Sequence, residues 1–325
     1  MPFFHRESPE EKQQKEASRA AVELEAQLQE QSRQALAAGG LPVRAQERVA
    51  KIHDALSAGA GVPLFSSDLS VSELLLTRQT GYEPVGLVAG SCVYHIGWNR
   101  WTLTGELDAQ TNAMLSAGNL AIDRLTQEAK GMGALGVVGV TLEIRRPEWG
   151  ERLIEVVALG TAIRSSSGTV ATEPFISGLS AQEYCSLLRI GSRPAGLVFG
   201  ASTYYIYTNW RDARQNMSWY NQEVVKYTES LRDAQRYAFG RMHARAQDFG
   251  ADGIVGAHIE HSLHRIPYED GDGNDDRARN DYVVEYIAWG TAIVEAPADV
   301  QLQRPSMVLN LEDLARTPRS TPGSE

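Results

Sequence analysis

The sequence is poor in the features that mark secreted, membrane-spanning and nucleic-acid-binding proteins. Two cysteines among 325 residues provide no disulfide framework, which favours a reducing, cytoplasmic location. No apolar run reaches the roughly 18 residues that a membrane-spanning helix needs, and the first residues lack the basic start and apolar stretch of a secretory signal. Because 41 acidic residues outnumber 31 basic ones, the net charge of −10 opposes phosphate backbones, and we expect no nucleic-acid partner.

The short motifs of common enzyme classes are also missing. The sequence has no glycine-rich phosphate loop, no Cys-x-x-Cys pair, no His-Glu-x-x-His zinc helix and no Gly-x-Ser-x-Gly nucleophile turn. Hydrophobic residues at 42% and charged residues at 22% are ordinary for a globular protein. A folded, non-enzymatic protein is therefore the favoured interpretation.

What the chain does contain is one unit written twice, over residues 86–163 and 196–293. Each copy reads as strand, long helix, strand, strand, and the copies end alike in "EVVALGTAI" and "EYIAWGTAI". An apolar run precedes each copy, "LLL" in the first and "YCSLLRI" in the second. The matched positions lie 110 residues apart in the first strand, 117 in the helix and 130 in the last strand: Gly86 with Gly196, Ala121 with Ala238, and Gly160 with Gly290.

Small residues at matched positions of the two helices predict how each helix meets its sheet. Ala121 and Ala238 predict a close approach of helix and sheet in both copies, and Gly133 and Gly250 are predicted C-cap residues. The second helix is predicted to be the longer one, ending near Phe249. The strands "GVVGV" and "GIVGA" carry consecutive apolar residues, which is typical of strands covered on both faces. One helix covers one face, so the other repeat or another subunit must cover the second.

These residues resemble the YbjQ-like family, which is described by heavy-metal binding. The second repeat carries the resemblance through Tyr227-Thr228-Glu229, Arg241-Met242 and "GADG", whereas the first repeat keeps "GALGVVGV" and "GTAI" but has Thr111-Asn112-Ala113 in place of the Tyr-Thr-Glu element. The resemblance implies an α+β fold of tandem β-α-β-β domains. It also implies that the subunits close into a homo-oligomeric ring, commonly a pentamer, with an inner β-barrel. A divalent metal such as zinc is the cofactor that the description suggests.

The predicted domain organisation has five parts. They are an N-terminal helical arm and connector at 1–70, a first domain at 71–165, a linker at 166–180, a second domain at 181–296 and a proline-rich polar tail at 297–325, largely disordered. The arm helix, residues 8–38, has a thin apolar stripe of Val22, Leu24, Leu28 and Leu36, so it is either a solvated arm or half of a coiled coil. The arm or the tail is the expected contact for a protein partner.

The candidate metal ligands are His258, Glu260 and His264. Their even spacing predicts one strand face, with Val255, Ala257 and Ile259 on the other. Imidazole and carboxylate groups suit zinc or a similar divalent ion. A polar face turned to solvent is the alternative, and it is favoured because strand-spaced ligands are a weak signal.

Matched carboxylates and clustered aromatics are two further candidates. Glu143 with Glu155, and Glu260 with Glu285, could do acid–base work or bind metal; the favoured alternative is hydrogen bonding at a sheet edge or subunit contact. The acidic stretch "YEDGDGNDDRARND" starts like a calcium loop but departs from that pattern, so a solvated hairpin tip is expected. The aromatic residues predict either a ligand pocket or packing: Tyr204, Tyr205, Tyr207, Trp210 and Trp219.

The sequence thus predicts first an assembly or scaffold protein that engages a partner. The alternative is a protein that binds or senses a divalent metal through the His/Glu strand of the second repeat.

Overall fold

The fold is described by a computed structural model covering residues 9–59, 65–96, 103–146, 153–168, 171–209, 220–267 and 280–295. The helices are α1 Pro9–Ala37, α2 Val43–Ser57, α3 Val71–Gln79, α4 Asp108–Gly131, α5 Ala181–Arg189 and α6 Val225–Asp248. The strands are β1 Tyr82–His95, β2 Gly105–Glu106, β3 Gly136–Arg145, β4 Leu153–Ser165, β5 Phe175–Ile176, β6 Arg193–Ile206, β7 Gly253–Pro267 and β8 Asn280–Val294. The predicted α+β class is confirmed.

Each repeat builds one four-stranded sheet. Sheet A has the order β1-β4-β3-β5 and sheet B the order β2-β6-β8-β7. The long strands pair antiparallel, and β5 pairs parallel with β3. The two short strands each come from the neighbouring part of the chain: β2 belongs to the first repeat but joins sheet B, and β5 lies in the connection but joins sheet A. The repeats are therefore joined by backbone pairing in both directions.

A short helix opens each repeat where the sequence shows only an apolar run. In α3 the Ser70 and Glu73 side chains form a capping box, and Ser180 with Glu183 does the same in α5. The β-α-β-β unit is thus preceded by a capped helix in both copies, which the sequence reading did not predict.

The predicted helix–sheet contacts are confirmed in both copies. A Cβ atom added at Gly90 would lie 1.9 Å from the Ala121 carbonyl oxygen, and one at Gly200 would lie 2.1 Å from the Ala238 carbonyl oxygen. Only a residue without a side chain lets strand and helix approach this closely. The predicted cap glycine Gly133 has φ +71°, and Gly250 has φ +62°.

Two sequence predictions about the second repeat are wrong. Its helix α6 is not longer than α4, since both have 24 residues. Val255 does not lie opposite His258, because a bulge at Gly256, with φ +60°, shifts the register between them. After the shift Val255 pairs with Thr291 and His258 with Trp289, which are two residues apart and share one face. Ile259 remains on the opposite face.

The core runs without interruption from the first repeat into the second. We call the face of each sheet that is turned away from its own long helix the outer face. On sheet B its side chains are buried and share one hydrophobic cluster with Met114, Val140 and Leu142 of the first repeat. The expectation that another repeat covers this face is confirmed for sheet B. The outer-face residues are Leu197, Phe199, Ala201, Ile287 and Trp289.

The N-terminal arm docks through its second helix. Val49 of α2 is buried and lies so close to α4 that a Cβ at Gly131 would be 2.4 Å from its Cγ1 atom. The two arm helices are held together by Ser32, whose Oγ accepts a 3.2 Å bond from the Val43 N–H. Val22 of α1 is 67% exposed, so the predicted coiled coil stays a prediction.

Several predicted features lie outside the described residues, namely Trp210, Trp219, most of the acidic hairpin and the whole C-terminal tail. Among the described helices none is long and apolar enough to span a membrane.

Candidate functional site

A cavity of about 210 Å³ lies where the two repeats meet. The second repeat lines it with polar groups from β7 and β8, namely Glu260, Ser262, His264 and Glu285. The first repeat contributes Arg146 together with apolar side chains of α4, β3 and β4. The cavity is the point at which polar residues of both repeats converge.

Glu285 is the centre of this polar group, and its side chain is only 7% exposed. Arg146, the residue after β3, donates to both carboxylate oxygens, through its Nε–H to Oε2 and through its Nη2–H to Oε1. His264 Nε2 lies 3.0 Å from Glu285 Oε2, and Ser262 Oγ donates to the same oxygen over 3.4 Å. Glu285 pairs directly with Ser262 across β8 and β7, which fixes this geometry. The buried carboxylate is thus compensated by a cation from the other repeat.

The Ser262, His264 and Glu285 side chains do not form a catalytic triad. In a triad the two ring nitrogens of histidine face the serine and the acid separately. Here His264 Nε2 is 3.0 Å from Ser262 Oγ and 3.0 Å from Glu285, so one nitrogen faces both groups. Burial, and then the nearby Arg146 charge, lower the pKa of His264 below 6.5, so the ring is neutral near pH 7. The arrangement is a structural ion-pair network.

The three candidate metal ligands point to different neighbours. His258 packs its ring against Trp289, with centroids 4.2 Å apart, and its Nε2 lies 3.6 Å from Glu260 Oε1. His264 turns instead toward Glu285. In the part of the chain that the structure describes, no three His, Cys, Asp or Glu side chains are placed to hold a metal ion. Because the Glu285 carboxylate is already paired with Arg146, the residues of one chain do not fit a divalent ion here.

The two matched carboxylate pairs have different surroundings. Glu260 and Glu285 line the same cavity. In the first repeat Glu143 is exposed and bonded to Arg145 over 2.7 Å, whereas Glu155 lines a separate cavity beside α4. The pairs therefore have no common chemical arrangement.

The described tyrosines of the aromatic cluster divide between the two faces of β6. The Tyr204 hydroxyl donates to Asp233 of α6 over 3.3 Å. Tyr205 packs with Tyr207 in a different cluster, and its hydroxyl donates to the buried Asp281 over 2.5 Å. These three tyrosines serve packing and buried hydrogen bonds on opposite sides of sheet B.

A second buried ion pair joins the repeats beside α6. Glu106 of β2 accepts from both terminal nitrogens of Arg241, over 2.7 Å and 2.9 Å, and from Ser202 Oγ over 2.6 Å. Arg241 Nη1 also donates to the Ala201 carbonyl oxygen over 3.2 Å. Burial alone would raise the pKa of Glu106, but the bonds from Arg241 and Ser202 outweigh burial and hold the pKa below 4.5.

Sequence reasoning missed most of the residues that tie the repeats together. Arg146 lies just past a strand end, in a polar turn sequence that gives no signal of a contact with the other repeat. Arg241 could have been found, because Arg124 stands at the matching position 117 residues earlier. Charged residues repeated on the apolar side of a helix indicate a buried polar contact.

Comparison with known proteins agrees with this architecture. The sequence profile of the YbjQ_1 family, described as "Putative heavy-metal-binding", matches residues 85–166 and 195–295. The chain is 31% identical over 255 residues to the Encapsulin nanocompartment protein Rv1762c of Mycobacterium tuberculosis, covering 76% of this chain and 92% of that protein. It is 33% identical over 90 residues to a UPF0145 protein of Helicobacter hepaticus, covering 26% of this chain and 85% of that protein. The chain therefore belongs to the YbjQ-like family and carries two copies of its domain.

Proposed function

We propose that this protein is a non-enzymatic assembly protein that builds a homo-oligomeric ring from its tandem repeats and engages a partner. The observation that carries the proposal is a difference between the two sheets. The outer face of sheet B is buried by the first repeat. On sheet A the matching side chains Leu87, Ala89, Val157 and Leu159 are only half-buried.

On the second repeat, the face of β7 is exposed where the matching face of β3 in the first repeat is buried. Leu142 of β3 is 3% exposed, since it is buried in the core between the repeats. Its counterpart in the second repeat, Ile259 of β7, is 45% exposed, and Leu263 on the same strand is 56% exposed. Exposed apolar surface of this kind marks an interface. One chain thus carries both halves of an interface that it forms once internally.

The name of the Mycobacterium tuberculosis relative supports an assembly role, because that relative is an encapsulin nanocompartment protein. The resemblance to the family adds the expectation of a pentameric ring with strands inside. Most α1 residues from Ser18 onward are exposed, so a protein partner can reach this part of the arm.

Mass measurement of the intact assembly tests this proposal. Native mass spectrometry and light scattering at micromolar concentration are expected to give a single closed oligomer. A monomer at that concentration would reject self-assembly, and with it the ring.

Metal binding is the second candidate function. The family description favours it, and His258 and Glu260 stand half-exposed on β7, where a second copy can add ligands. The test is metal analysis of untagged protein, before and after zinc titration, compared with a variant carrying His258→Ala and His264→Ala. Equal metal content in both proteins would reject these ligands.

A further inference from the structure

We propose that a second copy of this chain docks head-to-tail on sheet A, through residues 222–223 and the start of α6, as the first repeat docks on sheet B. This inference rests on the proposed self-assembly and names the surfaces that carry it. The contact between the two repeats serves as the template, because the groups that form it recur on the outward-facing sides of the same chain.

The template contact is made by the segment that leads into α4. Glu106 of β2 pairs with Tyr204 of β6. The Leu107 N–H donates to the Thr203 carbonyl oxygen over 2.8 Å, and the Thr203 N–H donates to Thr111 Oγ1 over 2.9 Å. The edge of β6 is thus closed by backbone and side-chain groups of the first repeat.

The groups that make this contact recur at the start of α6. At the helix offset of 117 residues, Glu106 and Thr111 correspond to Glu223 and Thr228 of the second repeat. The apolar Leu107 corresponds to Val224. The second repeat therefore carries the carboxylate and hydroxyl with which the first repeat closes its neighbour's edge.

The receiving groups recur on the first repeat. Arg124 takes the position of Arg241, and its Nη1 donates to the Ser91 carbonyl oxygen over 2.6 Å, as Arg241 donates to Ala201. Arg124 is only 7% exposed. No carboxylate among the described residues forms an ion pair with it. Its Nη2 donates to the Leu36 carbonyl oxygen over 3.1 Å, and its buried Nε has no partner.

This guanidinium has room for a carboxylate. Arginine has five N–H donors, and two of those on Arg124 are engaged. A buried cation with an unpaired donor is costly, so a carboxylate arriving at this point gains a charge-assisted bond. Beside it, Val93, Tyr94 and His95 are exposed at the edge of β1, which among the described strands pairs only with β4.

The connection before each repeat gives an independent match. Phe175 pairs with Gly136 of β3, and the Leu179 carbonyl oxygen accepts from Gly139 over 2.7 Å. The same residue types stand 110 positions earlier, as Phe65 and Leu69. Head-to-tail docking places Phe65 beside β7 of another copy.

The N-terminal arm covers part of the receiving surface. Arg48 of α2 donates to the Leu87 carbonyl oxygen over 3.1 Å and to Glu128. The end of α1 supplies Leu36 to Arg124. The arm also leaves a cavity of about 670 Å³ between itself and β1, so it does not fill this surface. The arm therefore competes with a second copy.

This geometry constrains the ring. The contact joins unlike surfaces, so it closes into a ring or extends as a filament. Each chain contributes two repeats, and a ring built this way contains an even number of repeats. A ring of five repeats is excluded, whereas one of five chains is not.

Cysteine cross-linking tests the pairing directly. In the template Gly105 pairs with Tyr205, so the expected contact between copies is Gln222 with His95, and paired strand residues lie within disulfide reach. Oxidation of the full-length protein with Gln222→Cys and His95→Cys is expected to give a ladder of linked chains. The matched control combines Gln222→Cys with Ser186→Cys, an exposed residue of α5.

The same experiment examines the arm. Adding Arg48→Gln, which removes the charged bonds from α2 to the Leu87 carbonyl oxygen and to Glu128, is expected to increase the linked fraction. An unchanged fraction would overturn the competition by the arm. Oligomeric protein that gives no linked chains in either background would overturn head-to-tail docking, while self-assembly by another surface would stand. Monomeric protein would overturn both.

The role of the Glu223 carboxylate is tested by a substitution that removes its charge. Glu223→Gln is expected to weaken association at least about tenfold, since it removes a charge-assisted bond to a buried guanidinium. Glu229→Gln, at an exposed carboxylate of α6, is the matched control and is expected to leave the dissociation constant unchanged. Equal dissociation constants for the two variants would overturn the assigned contact.

Discussion

The contact between Glu106 and Arg241 gives the sharpest prediction about how the two repeats hold together. The Glu106 side chain is 12% exposed and receives both terminal nitrogens of Arg241, whose side chain is 31% exposed. Ser202 donates a third bond to it. Replacing Glu106 by Gln keeps the size of the side chain and removes its charge, which leaves the guanidinium without a counter-ion.

The size of the effect follows from burial. Breaking a fully buried ion pair by removing one partner costs about 3–5 kcal/mol. Arg241 retains contact with water, so screening reduces the expected loss to about 2–3 kcal/mol of unfolding free energy. Asp248→Asn is the matched control, because Asp248 pairs with Arg245 on the same helix with both side chains more than half exposed. That change is expected to cost less than about 0.5 kcal/mol.

Urea unfolding at fixed protein concentration measures both variants. A double-mutant cycle with Arg241→Met then isolates the pair, and its coupling energy is expected to exceed about 1 kcal/mol. If Glu106→Gln unfolds within about 0.5 kcal/mol of the unchanged protein, the contact does not hold the repeats together, and the template for docking between copies fails with it.

The pH dependence has a defined sign. The folded pKa of Glu106 lies below the ordinary 4.5, so the unfolded chain takes up the proton first. The stabilisation is complete above pH 4.5 and is lost as the pH falls through the lower, folded pKa. The gap in stability between the unchanged protein and Glu106→Gln is therefore expected to be constant above about pH 6 and to narrow below 4.5. A gap that widens in acid would show that the carboxylate is not stabilised by folding.

The remaining predictions concern packing and the polar cavity. Gly90→Ala is expected to cost about 3 kcal/mol or more and to lower the melting temperature, because its Cβ would meet the Ala121 carbonyl oxygen at 1.9 Å; Gly86→Ala, with open space around its Cβ, should change stability by less than about 0.5 kcal/mol. Arg146→Gln is expected to raise the pKa of His264 as followed by NMR titration, since the nearby positive charge that lowers this pKa is removed; an unchanged titration would contradict the proximity of the two groups.

The sequence predicted the fold best in the segments that occur in both repeats. The small residues Ala121 and Ala238 predicted where each helix approaches its sheet, and the structure adds Gly90 and Gly200 as the strand residues that they meet. The opening helices were missed, since short apolar runs do not distinguish helix from strand. The face of Val255 was misassigned because one bulged residue reverses the alternation of a strand, and Gly256 gives only a weak signal of it.

The polar cavity around Glu285 was harder to predict, because its residues come from distant parts of the chain. His264 and Glu285 lie on paired strands, and their contact was within reach of a pairing argument. Arg146 was not, because the packing of one repeat on the other brings it to Glu285. Matching glutamates in the two copies suggested a shared chemistry. The structure places them in unlike surroundings, since Glu155 has no arginine bonded to it among the described residues whereas Glu285 has Arg146.

That difference follows from the presence of two copies of the domain in one chain. Two copies in one chain bury one interface internally, so sheet B is covered and Arg241 has its glutamate. The outer surfaces of the first and second repeats lack that internal partner. The first repeat has acquired an arm that supplies a backbone carbonyl to Arg124 where a carboxylate stands in the template. A carbonyl is a weaker partner for a buried cation than a carboxylate. Under the proposed head-to-tail docking, the arm is therefore the element that another copy displaces.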